Sequence, residues 1–179
     1  MQTESDVAQT NPPNDNRPAG DDAIGTLPEG LAPEIDPVRF AKGREQLVGS
    51  TAVSRMPRLM ASGLLDENAV VHWRLRGETA RDELDRVRQF LVLSLSFAPV
   101  LACGRCLGPL PVEPIESVRR FRLAASERQA DLEDPDAGDV DVIAIVPRLS
   151  VAALIEDEAI LALPMAAFHE ACPSPETLN

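Results

Sequence analysis

The sequence has no tyrosine, a single tryptophan and five phenylalanines. A core built from this chain must therefore be aliphatic, assembled from Leu, Val, Ile and Ala. The scarcity of rings also argues against an extended base-stacking surface for nucleic acid. Cysteine is sparse too: three residues, an odd number, do not make a disulfide framework and fit a reducing compartment. No apolar run reaches the roughly 18 residues of a transmembrane helix, so no membrane partner is expected. The first thirty residues hold no apolar stretch of the secretory type, which makes the cytoplasm the expected location. Only two histidines occur. There is no glycine-rich phosphate loop, no nucleophile elbow and no His-Glu-x-x-His.

What is present is 179 residues, 44% of them apolar, enough for one domain with a packed core. The net charge of −12 is unevenly spread. Residues 1–34 and residues 126–141 each carry −6, and residues 142–179 carry −4. Residues 35–125 carry +4, and nearly all their cations are arginine. A mildly basic middle is thus flanked by acidic segments. Arginine offers a planar fork for phosphate, but it is equally common in surface ion pairs.

Residues 1–34, with Asn11-Pro12-Pro13-Asn14-Asp15-Asn16 and almost no aliphatic run, read as a disordered acidic tail. Residues 35–179 read as a single domain. Asp36 is a plausible N-cap with Pro37 at the first helical position, and the helix should stop before Gly43. Gln46 to Val53 reads as extended. Ser54 to Ala61 suits a short helix stopped by Gly63, with Met56, Leu59 and Met60 on one face. Val70 to Gly77 alternates, with Val71, Trp73 and Leu75 inward and His72, Arg74 and Arg76 outward.

Val87 to Cys103 is the strongest strand signal, with Leu91, Leu93, Leu95 and Phe97 on one face and Pro99 at a bend. Val112 to Leu123 alternates again. The two form a long antiparallel hairpin with the cysteine pair near its tip. Residues 126–141 read as an acidic loop and Val142 to Val146 as a short strand. Ser150 caps a helix running to about Leu163 and ended by Pro164. Its inward stripe is Val151, Leu154, Ile155, Leu161 and Ala162, with Glu158 on the same side. The fold class is α+β: an antiparallel sheet with a long hairpin, packed by a few helices.

Two constellations could carry function. Glu156-Asp157-Glu158 is the obvious carboxylate cluster, but consecutive helical residues do not face one another. Glu156 and Asp157 read as solvated, and Glu158 as the partner of an Arg or a backbone N–H. Cys103-Gly104-Arg105-Cys106 is half a tetrahedral zinc site, and His169-Glu170-Ala171-Cys172 could supply the other half. Cys3His is a standard structural zinc set. The same Cys-x-x-Cys also reads as a mere turn former, or as a redox pair. For phosphate contacts, Arg74, Arg76, Arg119, Arg120 and Arg122 lie on the strands. Arg74 and Arg76 share a face, as do Arg120 and Arg122, with Arg119 opposite.

In order along the chain, Ile35-Asp36-Pro37-Val38, Cys103-Gly104-Arg105-Cys106-Leu107-Gly108-Pro109, Phe121 and Val142-Ile143 precede the run Leu154-Ile155-Glu156-Asp157-Glu158-Ala159-Ile160-Leu161-Ala162-Leu163-Pro164. His169 and Cys172 follow it. This ordered set, spanning about residues 35–172, resembles the YceD family, the large ribosomal RNA subunit accumulation proteins of bacteria and plastids. The second proline that the family places near residue 167 is Ala167 here. The resemblance implies a non-enzymatic factor needed for synthesis, processing or stability of large-subunit (23S) ribosomal RNA. Its partner would be the RNA precursor or a pre-ribosomal protein, with no small-molecule substrate and at most one structural zinc. Two other readings compete with it: a zinc-binding or redox-responsive adaptor with no direct RNA role, and a carboxylate-based nuclease. Convergence of three or more carboxylates would mark the last.

Overall fold

A computed structural model describes residues 25–26, 33–82, 84–136 and 138–172. The chain runs through β1 (Gly25–Thr26), β2 (Glu34–Ile35), α1 (Pro37–Gly43), β3 (Gln46–Ala52), α2 (Pro57–Ala61), β4 (Val70–Arg81) and β5 (Val87–Phe97). It continues through β6 (Val100–Ala102), β7 (Pro109–Pro111), β8 (Ile115–Ala124), α3 (Glu127–Glu133), β9 (Val140–Ala144), β10 (Leu149–Ser150) and α4 (Val151–Ala162). One six-stranded sheet has the order β1-β3-β4-β5-β8-β9. Its three central pairings, β3 to β8, are antiparallel, whereas β1 and β9 join the edges in parallel. The sheet is thus antiparallel-rich rather than purely antiparallel. Most of the acidic tail read from residues 1–34 lies outside the described residues. Within it, Gly25–Thr26 pairs with Leu47 and Val48, and Glu34 pairs with Ser150.

Local chemistry explains the elements. Asp36 Oδ1 accepts the N–H groups of Val38 and Arg39 at 3.0 Å each, with Pro37 opening α1 as read from the sequence. The hairpin of β5 and β8 forms as expected, with Leu91 opposite Phe121 and Phe97 opposite Ile115. Ala98 and Pro99 interrupt its first strand, and beyond them β6 and β7 make a small two-stranded tip. A bend there is what a proline without an N–H imposes on a ladder.

Strand alternation gives the sheet two unlike faces. Val71, Trp73, Leu75, Leu91, Leu93, Leu95, Phe97 and Phe121 are buried against α1, α2 and α4 and form the main core. Gly77 is required in this layer: a Cβ there would sit 2.8 Å from Ala41 Cα and collide with the Phe40 carbonyl of α1. On the other face, α3 covers only the β8–β9 end, where Ala124, Ala130 and Val142 make a small second core.

Two sequence expectations need correction here. Residues 126–141 are not simply a loop, because they include α3 and a 3-10 turn at Asp134–Asp136. Ser126 Oγ accepts the Gln129 N–H at 3.2 Å, and Gln129 Oε1 accepts the Ala125 N–H at 3.3 Å. That Ser-x-x-Gln spacing is a helix start signal outweighed in the reading by the acidic composition. On α4, Leu161 belongs to the exposed side, and the buried residues are Val151, Ile155, Glu156, Glu158 and Ala159.

Candidate metal centre at the hairpin tip

The tip turn is built on its own backbone. Cys103 N–H donates to Gly108 O at 2.9 Å, and Leu107 N–H donates to Cys103 O at 2.9 Å, with Leu107 at φ 59°. This geometry turns both thiols to one side. The segment after α4 then doubles back and docks, with Gly104 N–H donating to Ala167 O at 2.9 Å. So Ala167, where the family pattern has proline, serves through its carbonyl. A Cβ at Gly104 would stand 2.6 Å from the Phe168 ring, so any larger residue there would displace the ring.

The docking brings together all four residues read from the sequence. One ligand atom each from Cys103, Cys106, His169 and Cys172 lies within 4.8 Å of the others. Cys103 Sγ is 3.9 Å from Cys172 Sγ, and Cys106 Sγ is 3.4 Å from His169 Nδ1. Tetrahedral coordination with zinc–sulfur bonds near 2.3 Å and zinc–nitrogen bonds near 2.0–2.1 Å places neighbouring ligand atoms about 3.5–4 Å apart. These two separations are close to that requirement, and the whole set lies within 4.8 Å. His169 Nε2–H donates to Pro109 O at 3.2 Å, which leaves Nδ1 as the ligand atom.

The electrostatics fit a cation as well. Backbone N–H groups of Cys106, Arg105 and His169 hold the Cys103 thiol down to about 5, so it is a thiolate at neutral pH. Burial, reinforced by the neighbouring sulfurs, pushes Cys172 up to about 11. Cys172 therefore resists becoming an anion beside the Cys103 sulfur. A divalent ion removes that conflict.

The family model for the large ribosomal RNA subunit accumulation protein YceD matches residues 91–178. Over this span the chain is similar to the YceD family, as the resemblance read from the sequence implied. The match opens inside β5 and takes in the hairpin, the metal cluster and α4. Ile35-Asp36-Pro37-Val38, part of the resemblance read from the sequence, lies outside it. No curated protein and no solved structure matches the chain.

The acidic run of α4, which lies inside the matched span, has structural partners. Glu156 is 8% exposed rather than solvated as its position suggested. Its Oε1 accepts the Arg58 N–H at 2.7 Å and the Leu59 N–H at 3.3 Å, and Oε2 pairs with Arg58 Nε at 3.1 Å. Helix α2 has no cap from its own sequence, so Glu156 supplies one from 98 residues away. Asp157 is exposed and pairs with the same Arg58. Glu158, 2% exposed, accepts from Ser117 Oγ at 2.5 Å and Arg119 Nε at 3.3 Å, the arginine partner anticipated for it. The carboxylates thus diverge. Among the described residues, the Cys/His cluster is the one group of metal-ligating side chains that converges.

The five strand arginines are not gathered into one free basic face. Arg119 points to the helix-covered side, between Glu158 and Asp141. Arg76 and Arg120 both pair with Glu78, and Arg120 also lies 3.8 Å from the Phe90 ring centroid. Arg122 pairs with Glu133 of α3. Arg74 alone of the five has no acidic partner among the described residues. It stands beside Val48, His72, Ser94, Ser96 and Val118 on the uncovered sheet face.

Proposed function

We propose that this chain is a ribosome-biogenesis factor that sustains accumulation of large-subunit ribosomal RNA, acting by binding rather than by catalysis. The observation that carries the reading is the YceD family match over the hairpin, cluster and α4. Its place of action in this reading is the cytoplasm, a location that the family match supports. The α4 carboxylates support a binding role, because each is engaged in holding helices and strands together.

In this reading the Cys3His set holds one structural zinc. Four protein ligands leave no open position for a substrate, as in closed structural sites. Bound zinc would supply cross-linking, tying the segment after Pro164 to the hairpin tip. Cys103 is buried and His169 joins the thiols, which favours a closed site over an exposed redox pair. The uncovered sheet face, with Arg74 as its unpaired cation, is the surface for RNA in this reading.

A tagged full-length chain captured from cells, with and without RNase, tests the function. Co-purification of large-subunit precursor RNA that RNase abolishes supports direct contact with RNA. Association with pre-ribosomal proteins that survives RNase points to a protein partner. Association with neither contradicts the reading.

A further inference from the structure

Six aromatic residues exist in the chain, and five of them, Phe40, Trp73, Phe90, Phe97 and Phe121, are buried. Phe168 is the exception, at 48% exposed. It sits between His169 and the carbonyl that anchors Gly104, so the fold of the metal cluster fixes its position. The ring rests against Gly104, where a Cβ would displace it. The Arg105 guanidinium lies 5.0 Å from its centroid. Arg105 has no acidic partner among the described residues, unlike Arg76, Arg119, Arg120 and Arg122. No acid occurs between Leu101 and Val112.

One exposed ring is ordinary by itself; what sets Phe168 apart is the guanidinium that lies over it, without an acidic partner among the described residues. A ring and a guanidinium side by side offer two planar surfaces for a base, and the guanidinium can also meet a phosphate. Presentation by a short turn suits an unstacked nucleotide, since bases inside a duplex expose no ring face. We infer that Phe168 and Arg105 form a stacking site for an unpaired nucleotide of RNA, held in place by the Cys3His cluster. The inference rests on the proposed function and adds to it a base-contacting site distinct from the sheet face that carries Arg74.

The test uses the full chain loaded with one equivalent of zinc and a fluorescein-labelled, unstructured single-stranded RNA, read by anisotropy at low salt. Phe168→Leu keeps the apolar bulk and removes the ring. It should weaken binding about tenfold, with zinc content and melting temperature unchanged. Phe168→Trp should restore affinity, and the added indole emission should be quenched by RNA. Arg105→Gln should weaken binding and flatten its salt dependence. An abasic RNA of equal length should bind the parent chain as weakly as normal RNA binds Phe168→Leu. RNA binding that is unchanged in Phe168→Leu overturns the site while leaving the proposed function standing, and marks the ring as a protein-docking residue. Absence of RNA binding by the parent chain overturns both the site and direct RNA contact.

Discussion

His169 donates its Nε2–H to the Pro109 carbonyl at 3.2 Å, across the hairpin tip from the segment that carries it. The bond fixes the ring so that Nδ1 faces the thiols, and it makes β7 part of the cluster's support. His169→Ala should cut metal affinity by more than tenfold. His169→Cys, which restores a fourth ligand without the carbonyl bond, should recover part of it. Competition with a chromogenic chelator measures both. Equal affinity for the parent chain and His169→Ala would remove His169 from the site.

Glu156 caps α2 from the opposite end of the domain. Replacing it with Ala leaves the Arg58 and Leu59 N–H groups without their acceptor. The expected cost is about 1–3 kcal/mol in urea unfolding. Asp157→Ala, an exposed partner of the same arginine, should cost under about 0.5 kcal/mol. A reversed order of the two losses would contradict the capping role.

Gly77 meets α1 with no space for a side chain. Gly77→Ala must push the helix off β4 and should cost about 1–3 kcal/mol or more. Gly63→Ala, with open space around it but φ 96°, tests conformational strain alone and should cost less. Thermal unfolding of the pair decides whether contact or backbone angle matters more at these glycines.

Asp82 gives the fold a pH dependence. Burial pulls its carboxyl upward, but N–H groups of Arg86 and Leu84 and the guanidinium groups of Arg86 and Arg88 outweigh it. The folded-state value is therefore depressed. Its contribution is fully present above the ordinary value of about 4 and is lost as pH falls below it. Asp82→Asn should be less stable than the parent at pH 7 and should lose less stability between about pH 5 and pH 2. Parallel stability curves for the two chains would show that Asp82 contributes nothing.

Much of this arrangement was legible in the residues. Asp36-Pro37 marked α1, the alternation from Leu91 to Phe97 marked the central strand, and each half of the Cys/His set showed in its two-residue spacing. Periodicity and spacing report local geometry, and these features are local. What stayed hidden depends on distant partners. Glu156 looked solvated because its acceptor role needs α2, 98 residues earlier. The outward arginines looked free because Glu78 and Glu133 are brought to them by register and by α3. Phe168 carried no signal of its own in the sequence, because its place on Gly104 depends on the path after Pro164.

The most direct test of the account is elemental analysis of the purified full chain, paired with its Cys172→Ser variant. The account predicts one zinc per parent chain, markedly less in the variant, and a lower melting temperature for the parent after chelation. A parent chain without stoichiometric zinc, whose stability ignores the chelator, would contradict it.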